Sequence, residues 1–94
     1  MHAAAPVAAE PVEDVLARAI ASQQSGRLGQ AIRQFRQVLQ REPRHAEALR
    51  HLGEIQGQIG NIDQGVRLLR QAIAAGSRSA MVHVHLAALL VDAG

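Results

Sequence analysis

A 34-residue period constrains this chain more than any other feature. From Leu28 to Pro43 the apolar residues Leu28, Ala31, Ile32, Phe35, Val38 and Leu39 fall at the spacing of one buried helical stripe, with polar residues between them. Thirty-four positions later the stripe returns as Ile62, Gly65, Val66, Leu69, Ala72 and Ile73. The polar face returns with it, because Gln30, Arg33, Arg36 and Gln37 recur as Gln64, Arg67, Arg70 and Gln71. A chain that repeats both faces of a helix at a fixed interval is built from stacked copies of one unit, each burying its apolar side on its neighbour.

Between the stripes, the sequence supplies helix ends. Pro11 suits a first helical turn, and Glu13 and Asp14 sit at the positive end of the helix dipole. This first helix is expected to reach about Ser25, where Gly26 stops it by adopting a left-handed conformation. The second covers about Leu28 to Arg41 and ends ahead of Pro43, since proline disfavours helical geometry in the residue before it. A third is expected over Ala46 to Ile59, stopped by Gly60, and a fourth over Ile62 to Ala75, with Asn61 as N-cap and Gly76 as stop. A fifth runs from Ala80, capped by Ser79, to Gly94. The fold class is therefore all-α. Residues 1–10, MHAAAPVAAE, are small and interrupted by proline, and read as a flexible lead-in to a domain over residues 11–94.

Two helices and two tight turns fill each period, and Gly26, Gly60 and Gly94 mark it. In these features the chain resembles tetratricopeptide repeat (TPR) proteins. Repeat one would be 12–45, repeat two 46–79, and 80–94 the first half of a third. The family's small, apolar and turn positions are met by Ala19, Gly26, Ala31, Phe35, Val38 and Pro43, then by Gly53, Gly60, Gly65, Leu69, Ala72 and Ser77. Arg18, Leu49, Gly65 and Ser77 depart from the family pattern without overturning the resemblance. The resemblance implies a right-handed α-solenoid of antiparallel helix pairs, two and a half units long, serving as a non-catalytic protein-interaction module. Ala19 and Gly53 should then face Ala31 and Gly65 where the helices of a pair cross closely.

In the family, positions 2, 5, 6 and 9 of each first helix line a concave groove. Here those positions are Glu13, Leu16, Ala17 and Ile20, then Glu47, Arg50, His51 and Glu54, then Met81, Val84, His85 and Ala88. Apolar ends with a charged middle suit a protein or peptide partner, bound extended or as a helix with a polar register at its centre. Alternatively, the middle quartet pairs along its own helix at i,i+3 and i,i+4, each pair worth a few tenths of a kcal/mol. His51 and His85, one repeat apart, are either ligand contacts or solvated polar groups. The clamp by which some TPR proteins grip an acidic C-terminus needs lysine, asparagine and arginine, where this chain has residues such as Leu16, Ile20, His51, Met81 and His85. That clamp is missing.

Composition narrows the chemistry. With 94 residues there is little room for an enclosed active site, and the only aromatic residue, Phe35, leaves an aliphatic core and no platform for stacking a ligand. All ten basic residues are arginine and the net charge is only +2. Arg33, Arg36, Arg67 and Arg70 form a stripe on the second helices, but without interleaved aromatics it reads as a solvated face and no nucleic-acid partner is expected. The absence of cysteine excludes disulfides and thiolate metal sites, and the absence of lysine excludes a phosphate loop of the Walker type. His83 and His85 diverge by about 200° around a helix and cannot easily clamp one ion, so neither metal nor cofactor is expected. No basic start with an apolar core and no apolar run of bilayer length is present, so no membrane partner and a cytoplasmic location are expected.

The fifth helix, AMVHVHLAALLVDAG, is apolar on more than one face. Leu86, Leu89, Leu90 and Val91 are expected to be covered only by the preceding pair, which suggests a homodimer through this helix and hence a self-assembly element. A further alternative comes from AIASQQSGRLGQAI and REPRHAEALRHLG, which resemble the N-terminal TPR leaders of bacterial sulfotransferases, methyltransferases and O-linked sugar transferases. On that resemblance the chain would be a scaffold domain presenting substrate to a downstream catalytic domain.

Overall fold

The computed structural model describes residues 10–93. They form α1 (Val12–Gln24), α2 (Leu28–Arg41), α3 (Ala46–Gln58), α4 (Ile62–Ala74) and α5 (Ala80–Ala93). Helix ends fall within one residue of the sequence expectation because they rest on local chemistry. Gly26, Gly60 and Gly76 adopt φ of +79°, +97° and +94°, a region that side chains disfavour. Each closes its helix with the same pair of bonds, in which the glycine N–H and the N–H after it reach back to carbonyls that the helix leaves unpaired. After α1 these run from Gly26 to Gln23 O at 3.1 Å and from Arg27 to Ser22 O at 2.9 Å. The bonds recur after α3 as Gly60 to Gly57 O and Asn61 to Gln56 O, and after α4 as Gly76 to Ile73 O and Ser77 to Ala72 O.

The N-termini are less uniform. Ser79 caps α5 as expected, its Oγ accepting from the Met81 N–H at 3.2 Å. Asn61 precedes α4 but its side chain does not cap it. Its Nδ2 instead donates to Gln56 Oε1 at 2.7 Å, satisfying an amide that is buried within the domain. An unanticipated cap belongs to α3, where His45 Nδ1 accepts from the Ala48 N–H at 3.2 Å. Of the expected lead-in, residues 1–9 lie outside the described residues, and Glu10 is tied to the domain. Its carboxylate accepts two bonds of 2.8 Å from Arg18, and its carbonyl accepts one from Arg41. Arg18, a departure from the family pattern, thus holds the entry to α1.

Consecutive helices pack as antiparallel neighbours, and side chains bridge α1 to α3 and α3 to α5, so α1, α3 and α5 share one layer and α2 and α4 the other. Between the layers lies one aliphatic core that includes Val15, Ala31, Val38, Ile55, Leu69 and Val82, with Phe35 fully buried among them. Ala19 and Ala31 are fully buried, as close helix crossing requires. Gly53 and Gly65 do meet across their pair, since a Cβ at Gly65 would stand 3.0 Å from the Gly53 carbonyl oxygen.

Gly65, a departure from the family pattern, sits in close packing. A Cβ there would lie 2.8 Å from Leu89 Cδ1, and one at Gly57 would lie 2.6 Å from Leu89 Cδ2. The two glycines make a hole that the Leu89 side chain fills. Leu89 is accordingly 8% exposed, and Leu86 is half-buried against the core. Of the four apolar residues expected to have only the preceding pair as cover, that pair buries Leu89 and half-buries Leu86, while Leu90 and Val91 stay exposed, Val91 at 79%, so the self-association face is narrower than the four residues. No helix among the described residues is long and apolar enough to cross a membrane.

Candidate functional site

The face built by α1, α3 and α5 carries a connected set of polar side chains. On α3, residues at i and i+4 stand one above the other, which brings Arg50 Nη1 to 2.8 Å from Glu54 Oε2. Arg50 Nη2 also donates to His51 Nε2 at 3.2 Å. His51 Nδ1 lies 2.8 Å from Gln23 Oε1 on α1. An amide oxygen can only accept and a guanidinium can only donate, so the ring is neutral with its proton on Nδ1. On the other side, His85 of α5 brings Nδ1 to 2.9 Å from Glu54 Oε2, close but misaligned for a hydrogen bond. A chain of side chains therefore crosses the whole face, from Gln23 through His51, Arg50 and Glu54 to His85.

Packing decides the state of His51. Its ring stacks on Phe35 with centroids 5.3 Å apart and planes 6° from parallel. Burial pushes its pKa below the ordinary 6.5, and the Arg50 charge pushes the same way, outweighing the opposite pull of Glu54 and Glu47. The unfolded chain thus takes up a proton as pH falls through about 6.5 while the folded chain does not, so stability is complete above that pH and declines below it. His51→Gln should flatten this dependence between about pH 7 and 5, read as urea midpoints across the window. An unchanged slope would show that other groups set it.

The sequence-predicted site residues are only partly brought together. Leu16 is buried in the core rather than lining the groove, and Ile20 is half-buried against it. Leu16 is drawn inward because it adjoins Val15 on the side of α1 that meets the rest of the domain. Glu13 is exposed on α1, as are Met81, Val84 and Ala88 on α5. The middle quartet does pair along its own helix, through Arg50 with Glu54 and more loosely through His51 with Glu47 at 3.8 Å and with Glu54 at 3.9 Å. His51, at 14% side-chain exposure, is not a solvated group. Beside this network opens a cavity of about 470 Å³ lined by residues that include Gln23, Glu54, Gln58, His85 and Asp92. Sequence reasoning does not pick out Gln23, Gln58 or Asp92. A signal was present for two of them, since Gln58 and Asp92 stand one period apart, a turn beyond Glu54 and Ala88.

Among the described residues no group of three or more histidine, cysteine or acidic side chains could hold a metal ion. The stripe of Arg33, Arg36, Arg67 and Arg70 is exposed on the opposite layer. No curated protein sequence matches the chain. The model of the tetratricopeptide repeat family matches residues 22–90, from the end of α1 into α5, and repeats of this kind generally mediate protein–protein interaction. With that match, and with antiparallel helix pairs recurring at a fixed period around a shared core, the chain belongs to the tetratricopeptide repeat family.

Proposed function

We propose that the α1–α3–α5 face binds a segment of another protein, extended or helical, and that the domain serves as a non-catalytic interaction module. The observation that carries this reading is the cavity of about 470 Å³ beside Glu54 and His85, on whose helix, a turn before His85 and next to it, Met81 and Val84 expose apolar side chains. A concave polar spot next to an apolar shelf can fix the register of a bound segment while burying its apolar residues. Amide shift mapping with a captured partner is expected to move Glu54, His85 and Ala88, together with Arg50 and His51. Shifts confined to Arg33, Arg36, Arg67 and Arg70 would move the site to the opposite layer. The resemblance of α1–α3 to transferase leaders fits the same role, that of a scaffold beside a catalytic domain, and is tested by whether the reading frame extends into one.

A second reading is favoured by the exposed apolar residues of α5, with Leu90 at 42% and Val91 at 79%. A helix side of this kind can pair with its copy around a two-fold axis. Sedimentation at tens of micromolar is expected to show a concentration-dependent dimer that Leu90→Glu and Val91→Glu abolish. A monomer at all concentrations excludes it.

A further inference from the structure

Charge is divided between the two layers. The helices of the site layer carry Glu13, Asp14, Glu47, Glu54 and Asp92 against Arg18 and Arg50, a net charge of −3. Those of the other layer carry Arg33, Arg36, Arg41, Arg67 and Arg70 against Asp63, a net charge of +4. The small net charge of +2 conceals this separation.

The two arginines of the site layer are already engaged. Arg18 is held by Glu10, and Arg50 by Glu54 and His51. Among the described residues Glu13, Glu47 and Asp92 have no arginine within 4.0 Å. Glu47 is half-exposed, and its one ionisable contact is His51 at 3.8 Å, whose ring is neutral in this network. An anionic segment laid on the cavity side of this face would meet unneutralised carboxylates, and the free arginine at its edge is Arg78 of the α4–α5 turn, which lines a separate cleft with Glu47 and Arg50. A cationic one would meet carboxylates that no arginine of the face engages.

From this charge complementarity, and resting on the reading of the face as a protein-binding site, we propose that its partner is a basic, apolar-flanked segment. An arginine or lysine side chain of that segment enters the cavity beside Glu54 and ends at Asp92. The oxygen of Gln58 offers it a second acceptor, and aliphatic neighbours of the basic residue rest on Met81 and Val84. Guanidinium and ammonium groups on long methylene stems suit such a place, since the stem packs on apolar surface while the head reaches a carboxylate. The arginines of the other layer repel the same segment and so direct it to this side.

The test uses two fluorescein-labelled amphipathic peptides on one alanine and leucine framework, differing only in arginine or glutamate at the polar positions. Fluorescence anisotropy at about 50 mM salt, where screening is weak, is expected to show the arginine peptide binding at least about tenfold more tightly, with the ratio shrinking at about 500 mM. The exposed double variant Glu47→Gln/Asp92→Asn should weaken the arginine peptide several-fold, whereas Arg33→Gln/Arg67→Gln should leave it unchanged. A glutamate peptide that binds equally well, an arginine peptide indifferent to Glu47→Gln/Asp92→Asn, or no binding of the arginine peptide would overturn the inference. Amide shifts separate the two levels of failure. A glutamate peptide that moves Glu54, His85 and Ala88 keeps the face as the binding site and removes only its charge preference. Peptides that move α2 and α4 alone remove both.

Discussion

Phe35→Ala should cost about 3–5 kcal/mol of unfolding free energy, the usual range for removing a buried ring from a well-packed core. Phe35 is fully buried and is the chain's only Phe, Tyr or Trp, and the one ring stacked on it, His51, is held in place by Gln23 and Arg50. Its loss also removes the parallel ring that covers one side of His51, opening a route for water to a histidine whose two nitrogens are committed to Gln23 and Arg50. One substitution therefore acts on both core and site. A domain of this size commonly has a total stability of about 5–10 kcal/mol, so the variant should be substantially destabilised at room temperature. Phe35→Leu keeps most of the volume and should cost less, isolating what the flat ring contributes. Urea melts measure both, and a loss below about 1 kcal/mol for Phe35→Ala would contradict the burial described.

Leu89→Ala should be the second most damaging change, at about 2–5 kcal/mol for a buried leucine whose surroundings relax only in part. Its surroundings have little means to relax, because the hole it fills is made of backbone at Gly57 and Gly65 and neither glycine has a side chain to extend. The damage should be local. Leu89 and Val82 are the buried anchors of α5, the only helix of the five with no successor packed on it among the described residues. Hydrogen exchange is expected to show α5 amides losing protection well before those of α2 and α3, since elements with few buried contacts open independently of the rest. Leu90→Ala, on the exposed side, should change stability by less than about 0.5 kcal/mol. Equal effects at 89 and 90 would mean that α5 is seated differently. Because α5 supplies His85, Ala88 and Asp92 to the cavity, its seating also governs the binding proposed for the site.

The helices themselves were legible residue by residue. Their apolar stripes, the three positive-φ glycines and the serine cap of α5 depend on neighbours within a turn, and the turn chemistry is the same in any fold. The repeat was legible too, since one period shared by both faces of a helix means stacking of like units. The family resemblance also implied that Arg50, His51, Glu54 and His85 share one face, but it could not say which way each side chain would be used. The family resemblance put Leu16 in the groove, and Leu89 was expected to belong to a face left open beyond the preceding pair; both are inside. Their burial depends on the helices that close over them, and for Leu89 on Gly57 and Gly65, which belong to two other helices. Asn61 had the composition of a cap and became the partner of buried Gln56, because a buried amide left unpaired costs more than a helix end that water can reach. His51 stood in the sequence as a candidate ligand contact, and the tertiary structure turned it into a neutral link between α1 and α3 by stacking it on Phe35 of α2. Local hydrogen bonding and period determined the elements and their stacking. Which faces became core, which became network and which stayed open to a partner was decided by contacts between helices, whose energies depend on shapes that meet only after the chain has folded.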